Sequence, residues 1–457
     1  MKAELSPVKQ WAQSSPSLYA LHTPEQSYTW LELAEKVTRL AASLGQQGVS
    51  AGDVVTCIGK NSPQLLLLYL ACLEQGAICA LAMPQSEAEI NTKLATLYSN
   101  PDHAYLWSTG ETELPEIGCH VQLAEPELDN WCSEYQDEAL ASIVFTSGST
   151  GTPKAVAHTS QQHLASAQGL LEHFRFQQGD TWLLSLPMYH VSGLAIVYRW
   201  LATGATLKIG TGTLSEDIGD VSHASLVATQ LKRLLDSGEP LTLSHVLLGG
   251  SHVPLELSQQ AAEYGIETWL GYGMTEAAST VTAKQIDGLY SAGRVLPRRR
   301  VKLDGQRIFI GGDTLASGYY QQGVVTPIVE NGWFDSKDLG QWLGDELKII
   351  GRADNQFISG GENIHCEEIE AVLNQLNAIQ QAIVVPIKDA EYGHRPVAVL
   401  QCETLPEQSE IESLLKLKLT KFKWPKAYYQ MPLELLAGGI KVSRQKVRQW
   451  LEQQISR

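Results

Sequence analysis

The sequence predicts an α/β protein: a large N-terminal domain of parallel or mixed sheets flanked by helices, followed by a small α+β domain. Three observations point there. Strand-like runs alternate with helical patterns through the first three quarters of the chain, as in crossover-linked parallel strands. At 457 residues the chain is too long for one core. Past Gly351-Arg-Ala-Asp354 the texture changes to a short helix, two strands and a lysine-rich helix.

The elements follow in order. Thr29-x-x-Glu32 reads as a capping box, and Leu33, Val37, Leu40 and Leu44 continue it at helical spacing. DVVTCIG reads as a strand, and Ser62-Pro63 opens the next helix with a cap and a proline at its first position. That helix ends near Gly76, and ICALAM is a second strand. The pattern returns around SLVATQLKRLL and again at HVLLGG, a helix and ETWLGYG. In the last hundred residues come a helix at CEEIEAVLNQL, strands at AIVVPI and VAVLQC, and a helix at IESLLKLKLTKF. The expected domains are 1–353 and 354–457, with a hinge near Asp354 that makes the second one mobile.

Composition narrows the function. A net charge of −16 argues against bulk binding to nucleic acid or an anionic membrane, so a phosphate ligand needs a local basic patch. Seven scattered cysteines without a C-x-x-C pair read as a reduced, cytoplasmic protein with no disulfide framework. The twelve histidines show no zinc-like spacing. MKAELSPVKQWAQ has no apolar signal core, and the longest apolar run, Leu65–Leu73, falls well short of the roughly 20 residues that span a bilayer. Oligomeric state is left open, a homo-oligomer included.

The stretch IVFTSGSTGTPKAV carries the first chemical signal. Thr146, Ser147, Ser149, Thr150 and Thr152 offer hydroxyls, Gly148 and Gly151 let backbone N–H groups approach closely, and Lys154 adds a charge. Consecutive N–H groups in such a loop make an anion nest. The bland alternative is an ordinary strand-to-helix turn. It is not a Walker A loop, which needs G-x-x-x-x-G-K-[ST].

TSGSTGTPK resembles the phosphate loop of the acyl-adenylate-forming enzymes, the superfamily of AMP-dependent synthetases and ligases. Further segments resemble the same family in the same order. They are LPMYHVSG around His190, GYGMTE at 271–276, FDSKDLG around Asp338, GRAD at 351–354 with SGGENI after it, and GGIK ending at Lys441. The resemblance implies an enzyme that activates a carboxylate with ATP, releases pyrophosphate, and passes the acyl group to coenzyme A. Thr146 to Thr152 with Lys154 would then hold the β- and γ-phosphates. Thr275 would touch the α-phosphate, and Glu276 would hold Mg²⁺, a hard cation that takes oxygen ligands. Gly271, Tyr272 and Gly273 would line the adenine and ribose, and Asp338 with Arg352 would take the ribose hydroxyls. Here the aspartate loop departs from the family pattern, and Asp335 competes for the role. Lys441 would bridge the substrate carboxylate and the α-phosphate. His190 would line the acyl pocket, a buried structural histidine being the alternative. Rotation about Asp354 would exchange Lys441 for Ser359, Gly360 and Gly361, which would meet coenzyme A.

Arg199 bears on which acid is activated. It sits in GLAIVYRWLATG, an otherwise apolar and therefore buried helix. A buried guanidinium needs an anion. That anion is an internal Asp or Glu, or a second carboxylate on the substrate. Within the family, LLSLPMYHVSG, YRWLATGA, SHASLVATQLKRLL, VLLGGSHVP, GYGMTEAASTVTAKQIDGL and GGIKVSRQ resemble CoA ligases for an aromatic dicarboxylate of menaquinone biosynthesis. That likeness makes Arg199 the partner of the second carboxylate, assisted by Ser225, Thr229 and Ser251. The competing readings are a CoA ligase for another aryl or short aliphatic acid, an adenylation domain serving a carrier protein, and a non-catalytic adenylate-binding protein.

Overall fold

A computed structural model describes residues 5–110, 114–126, 131–146, 153–249, 253–359, 362–376, 378–389, 391–436 and 442–455. By compactness the chain divides into two units, 1–301 with 310–334, and 302–309 with 335–457. That division is one of packing. The hinge expected near Asp354 concerns motion, a separate property.

The first unit is built on two sheets. One runs in the order Arg294–Val295, Ser279–Gln285, Glu267–Met274, His245–Gly249, His223–Leu226, Thr181–Leu183, Thr206–Lys208, Tyr19–His22, Ser27–Thr29. Its pairings from Glu267–Met274 to Tyr19–His22 are parallel, and the outer ones antiparallel. In the other sheet Leu140–Thr146, Ile78–Ala82, Val54–Ile58, Tyr105–Ser108 and Cys119–His120 are parallel neighbours. Lys154–Thr159, Gly318–Gln321 and Val324–Thr326 extend it by antiparallel pairing. The mixed architecture agrees with the predicted class.

The helices between these strands begin where the sequence caps them. Thr29 Oγ1 accepts from Glu32 N at 3.3 Å while Glu32 Oε2 accepts from Thr29 N at 2.8 Å, which starts the helix Trp30–Gln46. Ser62 Oγ accepts from Leu65 N, Pro63 opens the helix Pro63–Gln75, and left-handed Gly76 ends it. That helix is apolar all round and buried from Leu65 to Gln75, as expected of an element packed on every side.

The main core joins the helices Trp30–Gln46, Pro63–Gln75 and Val191–Thr203 to strands of both sheets. Trp30 stacks on Trp200 with ring centroids 5.1 Å apart, and neither side chain is exposed. Trp30→Ala is therefore expected to cost about 3–5 kcal/mol, read as a lower midpoint of the first unfolding transition in urea.

The second unit carries the hairpin Phe334–Leu343/Glu346–Arg352 and a separate sheet. In that sheet Glu362–His365, Gln356–Ser359, Gly393–Gln401 and Gln381–Asp389 pair antiparallel, and Tyr428–Gln430 runs parallel beside Gly393–Gln401. The helices Cys366–Leu373 and Gln408–Lys418 share one apolar cluster with its strands, and Arg444–Ile455 shares another. This is the small α+β unit the sequence predicts. Among the described residues no helix is long and apolar enough to cross a membrane.

Candidate active site

The segment expected to bind phosphate lies between two strands that pair with each other. Leu140–Thr146 and Lys154–Thr159 pair antiparallel, with Thr146 opposite Lys154. A strand-to-helix turn is thereby excluded, because the helix begins only at Ser160, after the second strand, capped by Thr159. Ser147, Gly148, Ser149, Thr150, Gly151 and Thr152 lie outside the described residues. Their two anchors, Thr146 and Lys154, are held by the ladder.

The GYGMTE segment closes a strand with a tight turn. Glu267–Met274 runs into a single 3₁₀ turn, Thr275–Ala277, and the chain then passes through Ala278 (φ 49°) and Ser279 (φ 88°). Left-handed non-glycine residues of this kind cost about 1–3 kcal/mol each and persist only where their surroundings hold them. Here Ala278 O accepts from Ser166 Oγ at 2.5 Å, and Glu276 O accepts from Ala316 N at 2.9 Å. Buried Arg299 locks Ser166 in turn, donating to its carbonyl and its hydroxyl at 2.8 Å each. Gly273 is required by close approach: a Cβ there would sit 1.7 Å from Ser279 O. Gly271 and Tyr272 precede it on the same strand, both half-buried.

One residue the sequence did not single out joins these two parts. Tyr319 Oη donates to Glu276 Oε1 at 3.1 Å, and the Lys154 ammonium lies 4.7 Å from the centre of its ring. Burial and the Glu276 carboxylate both push the Tyr319 phenol up, so it stays protonated and acts as the donor. Nothing local in SGYYQQG signals this. The contact arises because Tyr319 pairs with Val156, two residues along the strand from Lys154.

On the substrate side, His190 is the residue before the helix Val191–Thr203 and packs edge-on to Tyr189, ring centroids 4.9 Å apart. Its segment is pinned by Asn61, a second residue missed in the sequence. Asn61 Nδ2 donates to the carbonyls of Leu184 (3.0 Å) and Leu186 (2.8 Å), and its Oδ1 accepts from Met188 N at 2.8 Å. Gly193 lets the helix start close against Pro187, whose carbonyl oxygen would be 2.1 Å from a Cβ.

Arg199 is 3% exposed in that helix. Nη2 donates to Thr280 Oγ1 at 3.3 Å, the guanidinium lies 5.2 Å from the Trp182 ring centre, and Nε has no partner among the described residues. No described carboxylate forms an ion pair with it. Burial, helped by the nearby Arg299 charge, lowers its pKa to about 9. The group is still cationic at pH 7. Ser225 Oγ is buried and has no partner among the described residues, and His223 pairs with Trp182 across the sheet. Ser225 is two residues on from His223 and so shares its face. Thr229 is exposed in the first turn of the helix Ala228–Asp236, and Ser251 lies outside the described residues.

In the second unit, Asp338 is 7% exposed and pairs with Arg352 across the hairpin, its Oδ1 accepting from Arg352 Nη1 at 3.3 Å. The same guanidinium grips Asp354 with two bonds, at 2.9 and 3.1 Å. Asp335, the competitor, is held in a two-bond pair by Arg307 at 2.7 and 2.9 Å. Ser359 is buried; Gly360, Gly361 and Lys441 lie outside the described residues.

Residues 8–320 match the AMP-binding enzyme family. The chain belongs to this family. Among curated proteins, AMP-binding family members called 2-succinylbenzoate–CoA ligase are similar to it along nearly their whole length. The Escherichia coli (strain K12) protein is 40% identical, covering 98% of each chain, and the Haemophilus influenzae one is 42% identical, covering 93% of this chain and 92% of that one. Of solved structures, an arginine-to-lysine variant of E. coli MenE with bound OSB-AMS superposes with TM-score 0.89 at 38% identity, covering 99% of this chain and all of that one. The o-succinylbenzoate CoA synthetase of Bacillus subtilis in complex with ATP and magnesium ion superposes with TM-score 0.81 at 26% identity, covering 94% and 96%.

Among the described residues no three His, Cys, Asp or Glu side chains converge on a metal position. A single oriented carboxylate, Glu276, suits magnesium nonetheless, since Mg²⁺ takes one or two protein carboxylates and fills its octahedron with water and substrate phosphate.

Proposed function

We propose that this chain is an ATP-dependent 2-succinylbenzoate–CoA ligase. The observation that carries the substrate is Arg199, a buried cation that no described carboxylate neutralises. 2-Succinylbenzoate has two carboxylates. The succinyl one is activated, and the benzoate one pairs with Arg199, with the buried Ser225 hydroxyl as a further hydrogen-bonding group.

In the first half-reaction a succinyl carboxylate oxygen attacks the α-phosphorus of ATP, and the bond to pyrophosphate breaks. Both partners are anions, so cationic and N–H groups must meet the charge that builds at the α-phosphate. Lys154 and the 146–152 loop hold the departing β- and γ-phosphates, Thr275 the α-phosphate, and Lys441 the attacking carboxylate. Glu276 would hold magnesium, which would supply further neutralisation of the phosphates. Asp338 and Arg352 take the ribose hydroxyls. In that role Asp338 is better suited than Asp335, whose carboxylate Arg307 already occupies. In the second half-reaction the coenzyme A sulfur attacks the acyl carbon, and AMP leaves with its oxygen. Asp354 is the hinge between the two half-reactions, Ser359 to Gly361 meet the pantetheine arm, and His190 lines the acyl pocket. A cytoplasmic location belongs to the same reading, supported by seven scattered cysteines without a C-x-x-C pair.

Pyrophosphate release with ATP, Mg²⁺ and coenzyme A tests this reading, using 2-succinylbenzoate, benzoate and a medium-chain fatty acid side by side. Turnover with 2-succinylbenzoate alone is expected. Equal turnover of either monocarboxylate would remove the substrate assignment, and no turnover with any acid would remove the enzyme.

A further inference from the structure

We propose that Tyr319 is a positioning residue that holds the Glu276 carboxylate and the Lys154 ammonium in register for ATP bound with magnesium. The inference rests on the roles proposed above for Glu276 and Lys154, and it adds Tyr319 to them.

Three features of the first unit support it. Tyr319 Oη donates to Glu276 Oε1 at 3.1 Å, which fixes one carboxylate oxygen and leaves the other lone pairs to a cation. The Lys154 ammonium lies 4.7 Å from the ring centre, where the ring face attracts a cation. Tyr319 is itself held by the ladder, opposite Val156 on one side and Thr326 on the other. Gly318 makes that seat possible, because a Cβ there would meet Thr326 O at 2.2 Å. One rigid side chain thus touches two groups of opposite charge, one on a strand and one in a turn, far apart in sequence. Without it, a lysine and a glutamate this close to a single ring could pair with each other. Each would then be lost to its ligand.

The test is calorimetric titration of ATP into the full chain across a series of Mg²⁺ concentrations, for wild type, Tyr319→Phe, Tyr319→Leu, Glu276→Gln and the double variant Tyr319→Phe/Glu276→Gln. Removing an outer partner of a metal ligand weakens metal affinity about 10- to 100-fold. Tyr319→Phe is therefore expected to need at least about tenfold more Mg²⁺ for half of the tightening seen in wild type. Its melting temperature should stay near that of wild type. In the double variant the phenylalanine should add nothing to the glutamine. Tyr319→Leu, which also removes the ring, should weaken ATP binding about two- to fivefold even in EDTA.

A wild-type Mg²⁺ dependence in Tyr319→Phe would overturn the proposal, as would an effect equally large on the Glu276→Gln background. Loss of the fold in Tyr319→Phe would overturn it too, by marking the hydroxyl as structural. ATP binding needs no acid, so the result is independent of the substrate assignment. Mg²⁺-tightened ATP binding without pyrophosphate release from 2-succinylbenzoate would sink that assignment and leave Tyr319 standing. If Glu276→Gln alone keeps the wild-type Mg²⁺ dependence, the metal role of Glu276 fails, and the proposal with it.

Discussion

Arg199→Met is expected to lower kcat/KM for 2-succinylbenzoate by about 100-fold or more while leaving the ligand-free protein as stable as wild type, or more so. The two halves of that expectation have one cause. Arg199 is buried with a 3.3 Å hydrogen bond to Thr280 and no described carboxylate partner. Replacing buried ions by apolar side chains of similar volume is neutral or stabilising by about 1–4 kcal/mol. A structural arginine would behave in the opposite way, since its loss would lower the melting temperature and barely touch substrate choice. The guanidinium also remains charged at working pH. Burial lowers its pKa to about 9, so the proton is released only as the pH rises through that value. The lowered pKa also means that the unfolded chain holds this proton more tightly between pH 9 and the ordinary arginine range, so this group's penalty to folding is full at pH 7 and shrinks as pH rises above 9. An anionic substrate relieves that penalty on binding. Pyrophosphate release with 2-succinylbenzoate checks the first half, and melting curves of ligand-free wild type and variant check the second.

Gly273→Ala is expected to reduce adenylation by about 100-fold or more, because misplacing catalytic groups by about 1 Å costs that much. The added methyl would sit 1.7 Å from Ser279 O, 2.5 Å from Ser279 C and 2.8 Å from Thr280 Cα. All three are backbone atoms, so no side chain can swing aside. The strand register already shifts between Tyr272 and Gly273, and the turn beyond carries positive φ at Ala278 and Ser279. Any relief must therefore move Thr275 and Glu276. Pyrophosphate release, with far-UV circular dichroism to confirm that the fold survives, measures the effect. A variant at the wild-type rate would show that this turn does not position the α-phosphate contacts.

Much of the framework was legible because its signals are local. The Thr29/Glu32 capping box, the Ser62-Pro63 start and the Gly76 stop lie within a few residues of the helix ends they set. The strands 54–58 and 78–82 read correctly because they are short apolar runs separated by one helix. What the sequence hid is non-local. A strand-to-helix turn stayed open as the alternative for the 147–152 segment because Lys154–Thr159 is a strand only through its pairing with Leu140–Thr146 and Gly318–Gln321. Tyr319 and Asn61 reach their partners across more than 40 and 120 residues of chain, respectively. No periodicity reports contacts of that kind. The burial of Arg199 was visible in its apolar helix, whereas the lack of a described acidic partner needed the packed structure.

Recognition of the second carboxylate by Arg199 is tested most directly by comparing two acids that differ only in that group. Pyrophosphate release would be measured with 2-succinylbenzoate and with 4-oxo-4-phenylbutanoate, which lacks only the benzoate carboxylate, in wild type and Arg199→Met. Wild type is expected to prefer the dicarboxylate by about 100-fold or more in kcat/KM, and the variant to lose most of this preference. A variant that keeps the full preference would contradict that role of Arg199, and would place the recognition of the second carboxylate elsewhere in the protein.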